Sequence, residues 1–291
     1  MATRFELWLN GDSESTLLAA AEEALDEIEL AERWLSLYRA DSDIAQVNQH
    51  ASNRPVRIDP RAFRLVARAQ ELNRQTCGAF DPTVAPLLLA WGLIGGPRSA
   101  PSETDVDLAL QSVGFEHVRL DPAHHTVAFA KPGMWLDLGS IGKGYAIDRA
   151  CELLREAGIE SGLIHGGTST VYGLGRDHRG EPWKIAVNTH GASPQAHEDK
   201  GHPTDTLLVT LEDAALSVSS TEGKRVLSGA GSVGHVLDPR TGRPLPGQRT
   251  AAVRCASATD SDALSTGLLV LGQDGFDQCR QHLDRNHAWV F

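Results

Sequence analysis

The stretch Asp137-Leu138-Gly139-Ser140-Ile141-Gly142-Lys143-Gly144 lies between a strand pattern and a helix pattern, and the fold is read outward from it. Before it, Thr126–Phe129 carries strand signals; after it, Ile147, Ala150, Cys151, Leu154 and Ala157 share one helix face until Gly158 closes the run. Gly139, Gly142 and Gly144 would let backbone N–H groups approach a phosphate at a helix N-terminus, and Lys143 adds a mobile positive charge. The spacing is not that of a Walker A loop, because Gly144 stands where Ser or Thr is required, and it does not match Gly-x-Gly-x-x-Gly. A plain strand-to-helix turn accounts for these glycines equally well.

Toward the N-terminus, Phe5, Leu7 and Leu9 alternate with polar residues and predict a strand. Leu18, Ala21, Leu25, Ile28, Ala31, Leu35 and Tyr38 predict one long amphipathic helix. Asp59-Pro60 opens a second helix whose stripe is Ala62, Leu65, Ala69 and Leu72, with Gly78 placed to end it. Residues 95–104 read as loop. Toward the C-terminus, Leu163-Ile164-His165, Trp183–Val187, Leu207–Leu211, Ala251–Arg254 and Ala288–Phe291 read as strands, and residues 189–205 as a mobile surface loop. A last helix is expected from Asp262 to Gly272. Strands and helices mix without βαβ alternation, so the expectation is an α+β fold, mainly antiparallel, in one domain over residues 1–291.

Apolar residues make up 41% of the 291 and charged residues 22%, ordinary globular usage that excludes wholesale disorder. A formal net charge of -11, with no run of Lys or Arg, excludes a nucleic-acid partner and means that an anionic ligand must be held by a local site. No apolar stretch reaches membrane-spanning length. The N-terminus has no basic-then-apolar leader, so the expected location is cytoplasmic, or periplasmic if an export signal has been removed. Cys77, Cys151, Cys255 and Cys279 are widely spread without a Cys-x-x-Cys pair, which argues against a disulfide framework or a zinc knuckle.

Three further segments have chemical potential. In Asp262-Ala263-Leu264-Ser265-Thr266, Asp and Thr stand four apart on one helix face, so both oxygens can meet one hard cation; Asp262 serves equally as a plain N-cap. In His235-Val236-Leu237-Asp238-Pro239-Arg240-Thr241-Gly242 an imidazole, the usual group for moving protons near neutral pH, precedes turn chemistry. Thr76-Cys77-Gly78-Ala79-Phe80-Asp81-Pro82-Thr83 reads as a helix end and a turn, with an aromatic that packs on a flat ring or on the core.

Taken in order, these segments resemble the FAD:protein FMN transferases, the ApbE family. The resemblance includes Leu35-Ser36-Leu37-Tyr38, Ser42-Asp43-Ile44, Asn48, Gly166-Gly167 and Pro182-Trp183, and runs from Met1 to the Asp262 helix. It implies two intertwined similar halves with FAD between them. Met1, Tyr38, Ala79, Phe80, Asp81, Asp137, Lys143 and Val236 sit where the family contacts FAD. Asp262 and Thr266 sit where its side chains bind magnesium, and Ser140 where a backbone carbonyl joins them. His235 takes the place of the histidine associated with transfer. The family usually has a different residue at Ser140, an Asp or Asn at Thr168, and a glycine where Thr221 follows Ser219-Ser220.

The implied reaction is magnesium-dependent transfer of FMN from FAD to a Thr or Ser hydroxyl of an acceptor flavoprotein, releasing AMP. Two alternatives are a magnesium-dependent FAD pyrophosphatase, with water in place of the hydroxyl, and a non-catalytic FAD-binding protein. A binder needs no base and no paired metal ligands, so His235, Asp262 and Thr266 favour an enzyme.

Overall fold

The computed structural model describes residues 3–95, 100–189, 206–222, 225–228, 231–278 and 287–291. Period-two patterning builds a central antiparallel sheet from β1 (Phe5–Asn10), β5 (Ser161–Gly166), β6 (Thr170–Leu174), β9 (Ala214–Ser220), β14 (Thr250–Cys255) and β15 (Ala288–Val290), in the order β1-β5-β6-β9-β14-β15. Its two faces go to different partners. Ile164, Tyr172 and Ala215 point to helices α1 (Glu14–Leu35) and α6 (Gly142–Glu156). Their neighbours Leu163, Val171, Ala214 and Leu216 meet Trp183, Val187, Val209 and Leu211 of the β7 (Trp183–Asn188) and β8 (Thr206–Leu211) hairpin.

The largest core cluster lies beyond the sheet's helical face. There α2 (Asp43–His50) and α3 (Pro60–Gln75) pack with β2 (Val56–Arg57), β3 (Val118–Asp121) and β4 (Thr126–Phe129), which pair in the order β2-β4-β3. Helix α7 (Ala258–Gln278) joins the same cluster through Ala263, Leu264, Leu268 and Leu269. A smaller cluster holds α4 (Ala85–Ala90), α5 (Glu103–Leu110) and Leu237. Leu237 belongs to β12 (Leu237–Asp238), which pairs with β13 (Arg243–Pro244) as β10 (Arg225–Ser228) pairs with β11 (Gly231–Gly234). The expected α+β, mainly antiparallel class is what is found.

Several boundaries differ from expectation. Helix α1 ends at Leu35, because Ser36 turns to extended backbone, so Tyr38 lies outside it. Its buried face is Ala20, Ala24, Ile28, Ala31 and Leu35; Leu18 and Leu25 are exposed. The loop expected over 95–104 gives way to α5 at Glu103, where Ser102 and Asp105 form a capping box. Helix α2, capped by Ser42, is an element the sequence patterning does not predict. Helix α3 follows expectation, with Asp59 capping Arg61 N at 2.7 Å and the whole predicted stripe buried. Helix α7 starts four residues before Asp262; at Gly272 (φ 64°) the backbone leaves helical geometry, as expected, before helical turns resume to Gln278. Residues 190–205 of the expected surface loop lie outside the described residues.

Cys77 is also unexpected, since it is disulfide-bonded. Spacing along a chain does not reveal which cysteines the fold brings together. Cys151 and Cys255 are free, and burial pushes both thiols up, Cys255 to about 12, so neither is a nucleophile at neutral pH.

Candidate active site

Helix α6 begins at Gly142, so Lys143 and Gly144 occupy its first turn; Gly142 N donates to the Leu138 carbonyl at 2.8 Å and Gly144 N to the Asp262 carboxylate at 3.1 Å. Helix α7 crosses this end at a distance only glycine permits: a Cβ on Gly144 would lie 2.0 Å from the Ala258 carbonyl oxygen. Asp148, one turn further along α6, holds the crossing. Its carboxylate accepts from Ser257 Oγ (2.7 Å), Ala258 N (2.8 Å), Thr259 N (2.9 Å) and Thr259 Oγ1 (2.6 Å), capping α7 from another helix. On the far side Arg68 of α3 grips Asp260 with two bonds, of 2.8 and 2.7 Å.

With α7 begun at Ala258, Asp262 falls in its second turn and is not its N-cap. Its carboxylate, almost fully buried, accepts from Lys143 Nζ at 3.1 Å, Gly144 N at 3.1 Å and Thr170 Oγ1 at 3.3 Å. Lys143 Nζ also donates to the Gly139 carbonyl at 3.4 Å. One positive charge is thus held between a carbonyl of the glycine loop and the α7 carboxylate. Hard oxygen donors from both elements converge on a single point, next to the Ser140 carbonyl in the chain. Thr266 adds its hydroxyl one turn along the same face, where Ser219 Oγ lies 3.3 Å away. Such an oxygen set could hold a small divalent cation.

The other candidate residues gather round this corner. Gly267 packs so tightly on the 76–80 segment that a Cβ there would lie 2.7 Å from Thr76 Cγ2, which places Ala79 and Phe80 against α7 beside Thr266. Both are buried in the core, so the Phe80 ring packs inside the protein. Asp81 caps the turn that follows, accepting from Thr83 N (2.8 Å), Thr83 Oγ1 (2.6 Å) and Phe115 N (3.3 Å). Asp137 N donates to the Pro82 carbonyl at 2.7 Å, which fastens the glycine loop to that turn. The Asp137 carboxylate accepts from Gly139 N at 2.8 Å; burial holds it above the usual carboxylate range, against the opposing pull of that N–H and Lys143. Asn48 fixes the approach to Asp137 by bonding Leu136 in both directions, at 2.7 and 2.9 Å.

His235 is partly buried at the junction of β11 and β12, and Val236 beside it accepts from Leu245 N at 2.9 Å while packing on the main core. The hairpin that follows is anchored by Trp91, whose indole donates to the Gly242 carbonyl at 2.8 Å, and its Arg240 comes up against Gly78. Tyr38 is not drawn into the packed corner: it is 81% exposed on the turn between α1 and α2. Met1 lies outside the described residues. Asp148 and Thr170 escaped the sequence reading. A single Asp in a helix stripe and a Thr in a strand carry no local signal, although Thr170 does share the period-two face of Tyr172.

The ApbE family model matches residues 1–290. Among curated relatives, an FAD:protein FMN transferase of Vibrio cholerae is 31% identical over 246 residues, covering 82% of this chain and 70% of that protein. One of Haemophilus influenzae is 28% identical over 273 residues, covering 90% and 76%. Among solved structures, the flavin transferase ApbE from Vibrio cholerae superposes with a TM-score of 0.79 at 26% identity, covering 100% of this chain and 89% of that one. The ApbE protein of Thermotoga maritima does so with a TM-score of 0.81 at 26% identity, covering 99% and 93%. The fold, the order of the motifs and a match over nearly every residue agree: the chain belongs to the ApbE family.

Proposed function

We propose that the chain, acting as one domain, transfers FMN from FAD to a Thr or Ser hydroxyl of an acceptor flavoprotein, with magnesium, and releases AMP. The observation that carries this is the meeting of Lys143, Gly144 N–H and the Asp262 carboxylate at one buried point, with a loop carbonyl on the same cation. The names of the relatives support the reaction class.

Asp262, Thr266 and the Ser140 carbonyl would hold the metal, which supplies charge neutralisation as negative charge grows on the leaving phosphate. The Lys143 ammonium would help hold the pyrophosphate of FAD beside the start of α6. Asp137 and the 79–81 segment shape the flavin side. The engaged Asp81 carboxylate serves the turn, so its part toward FAD is to present backbone. Tyr38 closes over the flavin from its exposed turn, and Val236 lines the wall beside His235. Met1 remains a proposed contact on the family pattern alone.

The acceptor hydroxyl attacks the FMN-side phosphorus, the bridging P–O bond breaks toward AMP, and His235 takes the hydroxyl proton. Replacing His235 with Ala is expected to lower FMN transfer by about 10^2-fold or more. Undiminished transfer in that variant would falsify the role.

The disulfide at Cys77 supports an oxidising compartment such as the periplasm over the cytoplasmic expectation, since such bonds persist where thiols are not kept reduced. Thiol labelling of the natively purified, unfolded chain would sink this reading if Cys77 reacted freely.

A further inference from the structure

A chain of buried hydroxyls reaches the Asp262 carboxylate from the central sheet. Thr170 of β6 and Ser217 of β9 are directly paired across the two strands. Strand alternation puts both on the helix-covered face, in step with Tyr172 and Ala215. Ser217 Oγ donates to Thr170 Oγ1 at 3.3 Å, and Thr170 Oγ1 donates to Asp262 Oδ1 at 3.3 Å. Exposures are 2% for Thr170, 0% for Ser217 and 3% for Asp262, so water does not stand in for either hydroxyl.

Each hydroxyl owns a single proton, and the order of bonds fixes where both point: Ser217 to Thr170, Thr170 to the carboxylate. Asp262 Oδ2 takes Gly144 N–H on the other side. The carboxylate is therefore clamped between α6 and β6, with Oδ1 shared between Thr170 and the cationic point now held by Lys143. A buried β-position facing a helix would ordinarily take Val, which is isosteric with Thr and packs without a polar cost. Hydroxyls at two paired positions make sense when they serve a carboxylate whose orientation matters.

We propose that Thr170, backed by Ser217, is a positioning residue that orients Asp262 for the divalent cation. This rests on the reading of Asp262 as a metal ligand. Outer partners of a metal-binding carboxylate typically change metal affinity by about 10-fold or more when removed. The Thr170→Val variant keeps shape and strand preference and removes only the hydroxyl; Thr170→Ser restores it; Ser217→Ala removes only its support.

The test titrates Mn2+ into the full chain with ADP present as a non-transferable pyrophosphate, follows binding by electron paramagnetic resonance, and records melting temperature for every variant. The half-saturating Mg2+ concentration for AMP release from FAD is measured in parallel. The expected result is about 10-fold weaker Mn2+ binding in Thr170→Val, a several-fold loss in Ser217→Ala, and recovery in Thr170→Ser. In Thr170→Val the half-saturating Mg2+ concentration rises alike, while kcat at saturating Mg2+ changes little. Unchanged Mn2+ binding in Thr170→Val overturns the proposal if Asp262→Ala abolishes binding in the same assay. Binding that survives Asp262→Ala overturns the ligand reading itself. A loss in Thr170→Val that Thr170→Ser does not recover assigns the effect to packing and also overturns the proposal.

Discussion

Two parts of the site are built in opposite ways. The corner where α6 crosses α7 is closed: Gly144 has no room for a Cβ, Asp148 caps the neighbouring helix with four bonds, and Asp262 has fixed donors on both oxygens. The parts that would meet the flavin and the acceptor are mixed: Tyr38 stands in solvent and His235 is partly buried at the junction of two short hairpins, while Ala79, Phe80 and Asp81 stay buried. Phosphate and metal chemistry needs charges fixed before the substrate arrives, because reorganising them costs barrier height. An acceptor protein must enter and leave, which favours groups on exposed turns. On the proposed function, the closed corner would supply the electrostatics and the side bearing Tyr38 the access.

The comparison breaks most easily at Asp262. Asp262→Ala is expected to lower AMP release by about a thousandfold at saturating FAD, the scale of several kcal/mol of metal stabilisation; a loss of only a few-fold would contradict the assignment. Gly144→Ala probes the closed corner itself. Its methyl meets the Ala258 carbonyl, and the denaturant midpoint should report a loss of about 3 kcal/mol together with weakened metal binding.

The side bearing Tyr38 should respond differently. Tyr38→Ala leaves stability unchanged and raises KM for FAD about 5-fold with kcat retained, the scale of one aromatic contact. The smallest effect concerns pH. Burial raises the Asp137 carboxyl in the folded state, so the native chain binds that proton more tightly than the unfolded chain. Its contribution is present below the ordinary value of about 4 and is lost as pH rises through the higher folded value. Melting temperature against pH should therefore be flatter over that range in Asp137→Asn, whose amide oxygen still accepts from Gly139 N.

What the sequence allowed to be read follows the same division. Local signals were sufficient for β1, α3 and the strands flanking the hairpins, because alternation, Asp59-Pro60 and buried stripes act within a few residues. Helix α7 starts before Asp262 because Asp148 of another helix caps its first turn, a partner no local pattern reveals. The Ser102–Asp105 capping box was present in the sequence but lay beside a Gly, Pro and Ser run that read as loop. Spacing and family pattern single out Asp262 and Lys143 as candidates. That their side chains bond each other, with Thr170 behind them, depends on elements over 90 residues apart and could only come from the fold.

The most direct measurement gives the purified chain FAD and Mg2+, with and without candidate acceptor flavoproteins, and follows AMP together with flavin fluorescence in denatured protein bands. The account predicts AMP and a fluorescent acceptor band in equal amounts, both lost on chelation and in Asp262→Ala. AMP without a labelled band would make the chain a hydrolase, and bound flavin with no AMP under any of these conditions would contradict the account outright.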